Sequence, residues 1–192
     1  MATRFATLSR TELAAEFGAT AADAAAGFRA LDARQLNWKP DATAWGVAEC
    51  FDHLVKSGEQ MQESIGRALD RTAPRTLWQR LPLWPRLLGW MLITSLAPDA
   101  KRKLKAPTIA IPATANLPPD IVDRFVALQH DCTAGVLALT DDDERRVLVS
   151  PFAPVVTYTV IDGYRIIATH QRRHLGQAAR VMAAPGFPAG PS

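Results

Sequence analysis

The sequence predicts an all-α protein: a four-helix bundle with one long crossover connection between its second and third helices. Three observations predict it. Four stretches, near residues 9–31, 46–70, 119–140 and 159–183, repeat apolar side chains at helical intervals, as a helix buried on one face does. The first three of them open on residues that suit a helix N-terminus. The segment between the second and third, residues 74–117, is proline-broken and much longer than the turn that joins antiparallel neighbours.

The totals agree with a soluble globular chain. A length of 192 residues suits one domain spanning residues 1–192, and 48% hydrophobic with 21% charged residues is ordinary for such a domain. The formal net charge is only +3. The basic cluster Lys101-Arg102-Lys103-Leu104-Lys105 reads as a solvated linker, and no nucleic-acid-binding motif accompanies it, so nucleic acid is not an expected partner. Cys50 and Cys132 both fall inside predicted helices, which fits reduced thiols and a cytoplasmic protein rather than a disulfide framework. The N-terminus lacks the apolar core of a signal peptide. The longest uncharged apolar run, residues 87–97, is about half of what spans a bilayer, so no membrane span is expected.

The first helix starts at Ser9, which with Glu12 forms a capping box, and carries Leu13, Phe17, Phe28 and Leu31 on its apolar stripe. Gly18 and Gly27 weaken it and are expected to kink or fray it. The following loop holds Trp38, Pro40 and Trp45; the tryptophans are expected to pin it against the end of the bundle, ahead of any ligand-stacking role. The second helix opens with Gly46-Val47-Ala48-Glu49, a capping box whose Ser has become Gly, and buries Val47, Cys50, Phe51, Leu54, Met61, Ile65 and Leu69. Residues 87–96 form a short apolar helix, either a homodimer surface or a lid. The crossover continues through residues 101–118, an extended connection marked by Pro107, Pro112 and Pro118. Pro119 and Asp120 open the third helix, with Ile121, Phe125, Leu128, Val136 and Leu139 inward. Residues 147–160 read as a loop with at most a short extended stretch. The fourth helix turns Val160, Tyr164, Ile167, Leu175 and Val181 inward and ends before Pro185.

The chemistry concentrates on the fourth helix. His170 and His174, four residues apart, stack on one helical face one turn apart, a spacing that suits a first-row metal ion. His53, on the second helix, is the natural third ligand. Three neutral imidazoles leave a coordination position open, as catalytic sites do, and imidazole suits Zn, Ni, Fe or Cu alike. The pair by itself is a weak signal, and with Arg172, Arg173 and Gln177 nearby both histidines also fit a solvated face. His130, between Gln129 and Asp131, reads as a surface histidine. Glu49 is a candidate proton acceptor or support for His53, with bonding to its own helix N-terminus the simpler role. Cys50 is a core residue before it is a redox thiol.

Three places carry a resemblance to a known family. They are Leu36-Asn37-Trp38-Lys39-Pro40 followed by Trp45 through His53-Leu54; the connection from Lys101 to Pro112; and His170-Gln171-Arg172-Arg173-His174-Leu175-Gly176-Gln177. On these residues the chain resembles the DinB-like (DinB/YfiT-like) superfamily of metalloenzymes, from about Trp38 to Phe187. The resemblance implies a four-helix bundle with a long crossover and a divalent metal ion, Zn, Ni or Fe, held by His53, His170 and His174. It also implies activities among thiol-dependent transferases and thiol-conjugate isomerases or hydrolases. Gly46 departs from the family, which usually places Ser there.

The expected function is a metal-dependent enzyme, a transferase or hydrolase acting on a small electrophilic substrate, with a low-molecular-weight thiol as partner. Arg173 and Gln177 are candidates for orienting it, and Trp38, Trp45 and Trp84 for lining an entrance. The alternative is a non-catalytic metal-binding or stress-linked interaction protein. The space beside the histidines discriminates them: a deep polar pocket favours the enzyme, a site closed by side chains the alternative.

Overall fold

The computed structural model describes residues 2–70, 84–99, 111–112 and 116–190. The basic cluster at Lys101–Lys105, the aromatic stretch before Trp84 and most of the expected crossover lie outside the described residues. The rest is mostly helical, with one small sheet. In order, the elements are α1 (Ala2–Phe5), α2 (Arg10–Phe28), α3 (Ala33–Asn37), α4 (Val47–Leu69), α5 (Trp84–Leu96), α6 (Ile121–Leu137), α7 (Asp141–Glu144), β1 (Val147–Ser150), β2 (Ala153–Thr159) and α8 (Val160–Met182).

Local rules account for the long helices. Ser9 caps α2, and the Glu12 carboxylate accepts back from the Ser9 N–H at 2.8 Å, so the box is reciprocal. Gly18 and Gly27 leave α2 unbroken, contrary to the expected kink, because tertiary packing of Leu13, Phe17, Ala21, Ala24 and Phe28 outweighs their weak propensity. Gly46 caps α4, with the Glu49 carboxylate accepting its N–H at 2.8 Å. Thr159 caps α8 through the Asp162 N–H. The arginine Arg146 donates to the carbonyls of Ala68 and Leu69 at 3.2 and 3.0 Å, which serves the orphan acceptors at the end of α4.

α2 packs on α6 and α8, and α4 packs on α8 and α6. Their buried faces form two apolar clusters rather than one. The first gathers Leu13, Phe17, Met61, Ile65, Cys132, Val136 and Tyr164; the second gathers Phe28, Phe51, Leu54, Phe125 and Leu175. Between them each long helix contributes a buried polar side chain: Thr20, Ser57, Gln129 and Gln171. The Thr20 hydroxyl, the Gln129 carbonyl oxygen and both amide atoms of Gln171 have no hydrogen-bond partner among the described residues.

The hairpin departs from expectation. Residues 147–159 form two antiparallel strands, with Val147 opposite Thr159, Leu148 opposite Tyr158 and Val149 opposite Thr157, and the register shifts next to Ser150. Pro151 and Pro154 argued for a loop, but they sit at the turn and at the start of β2, where a missing N–H is tolerated. The β-branched residues around Leu148 and Tyr158 then pair. A lone two-stranded hairpin is marginal; this one rests on α4 through β1 and on α5 through β2. α5 also begins earlier than the apolar run alone indicates, at Trp84, with Pro85 near its first turn.

Two predictions follow from this packing. A Cβ built on Gly46 would meet the Trp38 carbonyl oxygen at 2.6 Å. Gly46→Ser, which capping preference alone would favour, is therefore expected to destabilise by about 1–3 kcal/mol in chemical denaturation; equal or higher stability would show that the Trp38 backbone yields. Cys50 and Cys132 are buried, and burial pushes both thiols up to about 12. Neither should react with an aromatic disulfide reagent at pH 8 until the protein unfolds; rapid reaction of either in the native state would contradict that burial.

Candidate metal centre

Two helices and one loop build the site. α4 carries His53 a little over two turns from its Gly46 cap. α8 carries His170 and His174 on adjacent turns of the face that meets α4. The Nε2 atoms of His53 and His170 lie 3.1 Å apart. Ring centroids are 4.9 Å apart for His53 and His170, 4.7 Å for His53 and His174, and 4.6 Å for His170 and His174, a nearly equilateral triangle. One nitrogen from each ring lies within 4.8 Å of the other two. The pairing of sequence-distant His53 with the fourth-helix pair is thus present in the fold.

Electrostatics favours neutral rings. Burial is the main reason the His170 ring is held well below the ordinary histidine range, with the neighbouring His174 and His53 adding to it. Burial likewise pushes His174 down to about 3, helped by His53 and Arg173 and opposed by the Gln177 amide. The two imidazoles of α8 therefore keep lone pairs available at neutral pH. Converging lone pairs with few protons to share is a poor arrangement for a hydrogen-bond cluster and a good one for a cation. The geometry passes the same test. Metal–nitrogen bonds of 2.0–2.1 Å at tetrahedral angles place donor nitrogens about 3.3 Å apart, close to the 3.1 Å seen. Three imidazoles and a divalent ion would carry two positive charges, so an anionic or polarisable group suits the remaining position.

The surroundings sort the other candidates. Trp45 stacks on His174 with centroids 5.7 Å apart and lies 4.9 Å from the His53 ring, so it walls the site rather than merely pinning the loop. Trp38 does the pinning, edge-on to Phe187. Trp84 is half-exposed and lines no part of the cavity. Glu49 is occupied by the Gly46 N–H and by Lys39, and it does not reach the histidines' cavity. His130 is exposed. Arg172 turns to Glu16 and Asp23 on α2. Arg173 turns to the carbonyls of Ser95 and Ala97 at the end of α5. Arg172 thus points away along α2, whereas Arg173, tied to the end of α5, also lines the cavity beside the histidines.

Beside the histidines lies a cavity of about 790 Å³ between α4, α5, α8 and the hairpin. Its walls include Leu54, Met61, Leu92, Phe152, Val156 and Ile166, together with Gln171, Gln177 and Arg180. Sequence reasoning missed the hairpin's part because the strands themselves were unexpected. It missed Gln171 because a helix turns it about 100° from His170, so only the packing of α8 decides what it faces. Arg180 carries no local signal beyond its charge.

Comparison with known proteins agrees with this centre. The DinB superfamily matches residues 16–178, a span that contains all three histidines and the Trp45 loop. An uncharacterized protein of Bacillus subtilis (strain 168), YuaE, is 28% identical over 155 residues, covering 80% of this chain and 86% of its own length. No solved structure matches the chain. With a family match over most of its length, and with histidines on two helices brought together as above, the chain belongs to the DinB superfamily.

Proposed function

We propose that the protein is a metal-dependent enzyme, a transferase or hydrolase, in which His53, His170 and His174 hold one divalent ion of the Zn, Ni or Fe type. The observation that carries this is the convergence of three imidazoles on the wall of a large cavity, with no carboxylate in the group among the described residues. When bound, such an ion supplies an open position at which the pKa of a small thiol or a water is lowered, so that a nucleophile exists at neutral pH. The chain's own residues do the rest. Trp45 covers two of the rings and keeps bulk water from that side. Gln177 lies against His174 and helps to orient its ring. The cavity, which Trp45 also lines, admits a small electrophile to the histidines. On this reading α2, α4, α6 and α8 form one four-helix-bundle domain with a crossover between α4 and α6, a reading that the contacts of α2 and α4 with α6 and α8 support. Among the described residues no helix is long and apolar enough to cross a membrane, and buried unpaired Cys50 and Cys132 suit a reducing cytoplasm. The alternative, a metal-binding protein without catalysis, is favoured less because side chains leave a cavity of about 790 Å³ beside the histidines, although its walls are more apolar than the polar pocket expected of the enzyme.

Elemental analysis of the untagged protein tests the centre directly. Near-stoichiometric metal is expected in the wild type and none in the His170→Ala/His174→Ala variant, whose helical circular dichroism should persist. Absence of metal from the wild type, even after addition of Zn, Ni or Fe salts, would sink the proposal. A second readout uses Trp45. Adding Ni(II) to chelator-treated protein should quench tryptophan emission, and Trp45→Phe should remove most of that quenching; quenching of equal depth in the variant would place the ion elsewhere.

A further inference from the structure

Helix α5 is apolar on both sides. It packs on α8 and β2 and buries Pro85, Gly89 and Ile93; Leu92 and Leu96 line the cavity. Its outer side carries Trp84, Leu87, Trp90 and Met91, which are 45–52% exposed. At about 100° per residue these four fall within a sector of about 120°. A helix that is apolar all round is ordinarily buried all round, and a contiguous exposed patch marks an interaction site. The hydroxyls near this side make no outward demand. Thr94 donates to the Trp90 and Met91 carbonyls at 2.9 and 3.0 Å, and Ser95 to the Met91 carbonyl at 2.7 Å. The face can therefore leave water without stranding them.

Charge narrows the occupant. Arg86 is the one charged residue of α5, exposed and about 40° beyond Trp90 at the edge of the patch. Asp162 is the only acid of α1, α8 and β2, which pack against α5, and it is buried and paired with Arg165 at 2.9 Å. The flanking sequence is cationic. Residues 71–105 hold eight of the chain's 22 basic residues and one, Asp99, of its 19 acidic ones, so acid outnumbers base in the remainder. Chain connectivity alone keeps Arg80, Lys101, Arg102 and Lys103 within about 25 Å of an end of α5. Two of the chain's five tryptophans stand on the patch, and indole rings favour the boundary between water and hydrocarbon.

We propose that the outer face of α5 docks the protein on a lipid surface bearing anionic headgroups. The helix lies along the surface, with Trp84, Leu87, Trp90 and Met91 entering the boundary between headgroups and acyl chains. Arg86 and the basic flanks stay at the level of the phosphates. A second copy of the chain suits the face less. Isologous pairing would bring two cationic edges together. Four half-exposed side chains also offer only on the order of 400 Å², against roughly 800 Å² for each partner of a stable protein interface. The docking does not depend on the metal centre.

Co-flotation of the full-length protein with large unilamellar vesicles tests it. Vesicles of phosphatidylglycerol and phosphatidylcholine in equal parts should bind it at least on the order of tenfold more strongly than phosphatidylcholine alone. Raising the salt from about 0.1 M to about 1 M should shrink that preference. Leu87→Glu/Trp90→Glu should weaken binding to the mixed vesicles on the order of 100-fold, with helical circular dichroism and metal content unchanged. Vesicles brominated on the acyl chains should quench tryptophan emission of the wild type. Trp84→Phe/Trp90→Phe, which keeps the face apolar, should still float and should lose much of that quenching. Absence of flotation would overturn the proposal. So would wild-type binding by Leu87→Glu/Trp90→Glu, which would leave only adsorption through the basic flanks, or undiminished quenching in Trp84→Phe/Trp90→Phe. A dimer in sedimentation velocity that Leu87→Glu/Trp90→Glu dissolves, in a protein that binds no vesicles, would assign the face to a second copy instead.

Discussion

The long antiparallel contact between α4 and α8 is the constraint on which the rest of the structure depends. It is close along its length. A Cβ on Gly163 would lie 3.6 Å from Ile65 and 3.1 Å from Leu148, and Tyr158, at the end of the hairpin that leads into α8, donates to the Met61 sulfur at 3.1 Å. That contact brings one histidine of α4 against two of α8. It also shapes the cavity, because both helices line it. A shift of one helix by a turn would separate the imidazoles by about 5 Å and take the site apart without unfolding anything else.

Neighbouring elements hold the contact in register. Arg146 ties the end of α4 to the start of β1, and Arg165 donates to the Leu8 carbonyl at 2.8 and 3.0 Å. Arg172 bridges Glu16 and Asp23 on α2. Glu16 is itself mostly buried and also meets Arg4, so its charge is compensated from two sides. Arg173 reaches the end of α5 and fastens that helix over the cavity. The charges flanking the histidines on α8 thus act as struts between helices.

Such a site has a cost. Three imidazoles are gathered where burial disfavours the charged form of His170 and His174, and a layer of polar side chains divides the apolar core at their level. The Thr20 hydroxyl, the Gln129 oxygen and both amide atoms of Gln171 lack partners among the described residues, each such group worth about 1–3 kcal/mol when left so. A protein optimised only for stability would place Leu or Ile there. The two apolar clusters on either side offset the penalty, and the Phe28–Phe51 and Phe51–Phe125 edge contacts belong to the cluster nearer the Trp45 loop.

Much of this was legible in the residues before any packing was known. Ser9 with Glu12 and Gly46 with Glu49 marked two helix starts, and Leu13, Phe17, Phe51, Leu54, Phe125 and Tyr164 marked the buried faces. His170 and His174 had to share a face, because helical periodicity is a local property that four residues suffice to establish. His53 offered itself as the third ligand from the second helix, and the family resemblance implied the same set. What only the tertiary structure decided depends on the azimuth of one element against another. Trp45 lies on the histidine rings, Arg172 turns to α2, Arg173 reaches α5 while still lining the cavity, and the Gln171 amide is buried with no partner among the described residues. The hairpin belongs in the same group: Pro151 and Pro154 speak locally for a loop, and the strands exist because Leu148 and Tyr158 find α4 and α5 to pack against. Orientation between helices is set by the sum of many side-chain contacts across the whole interface, and no short stretch of sequence contains that sum.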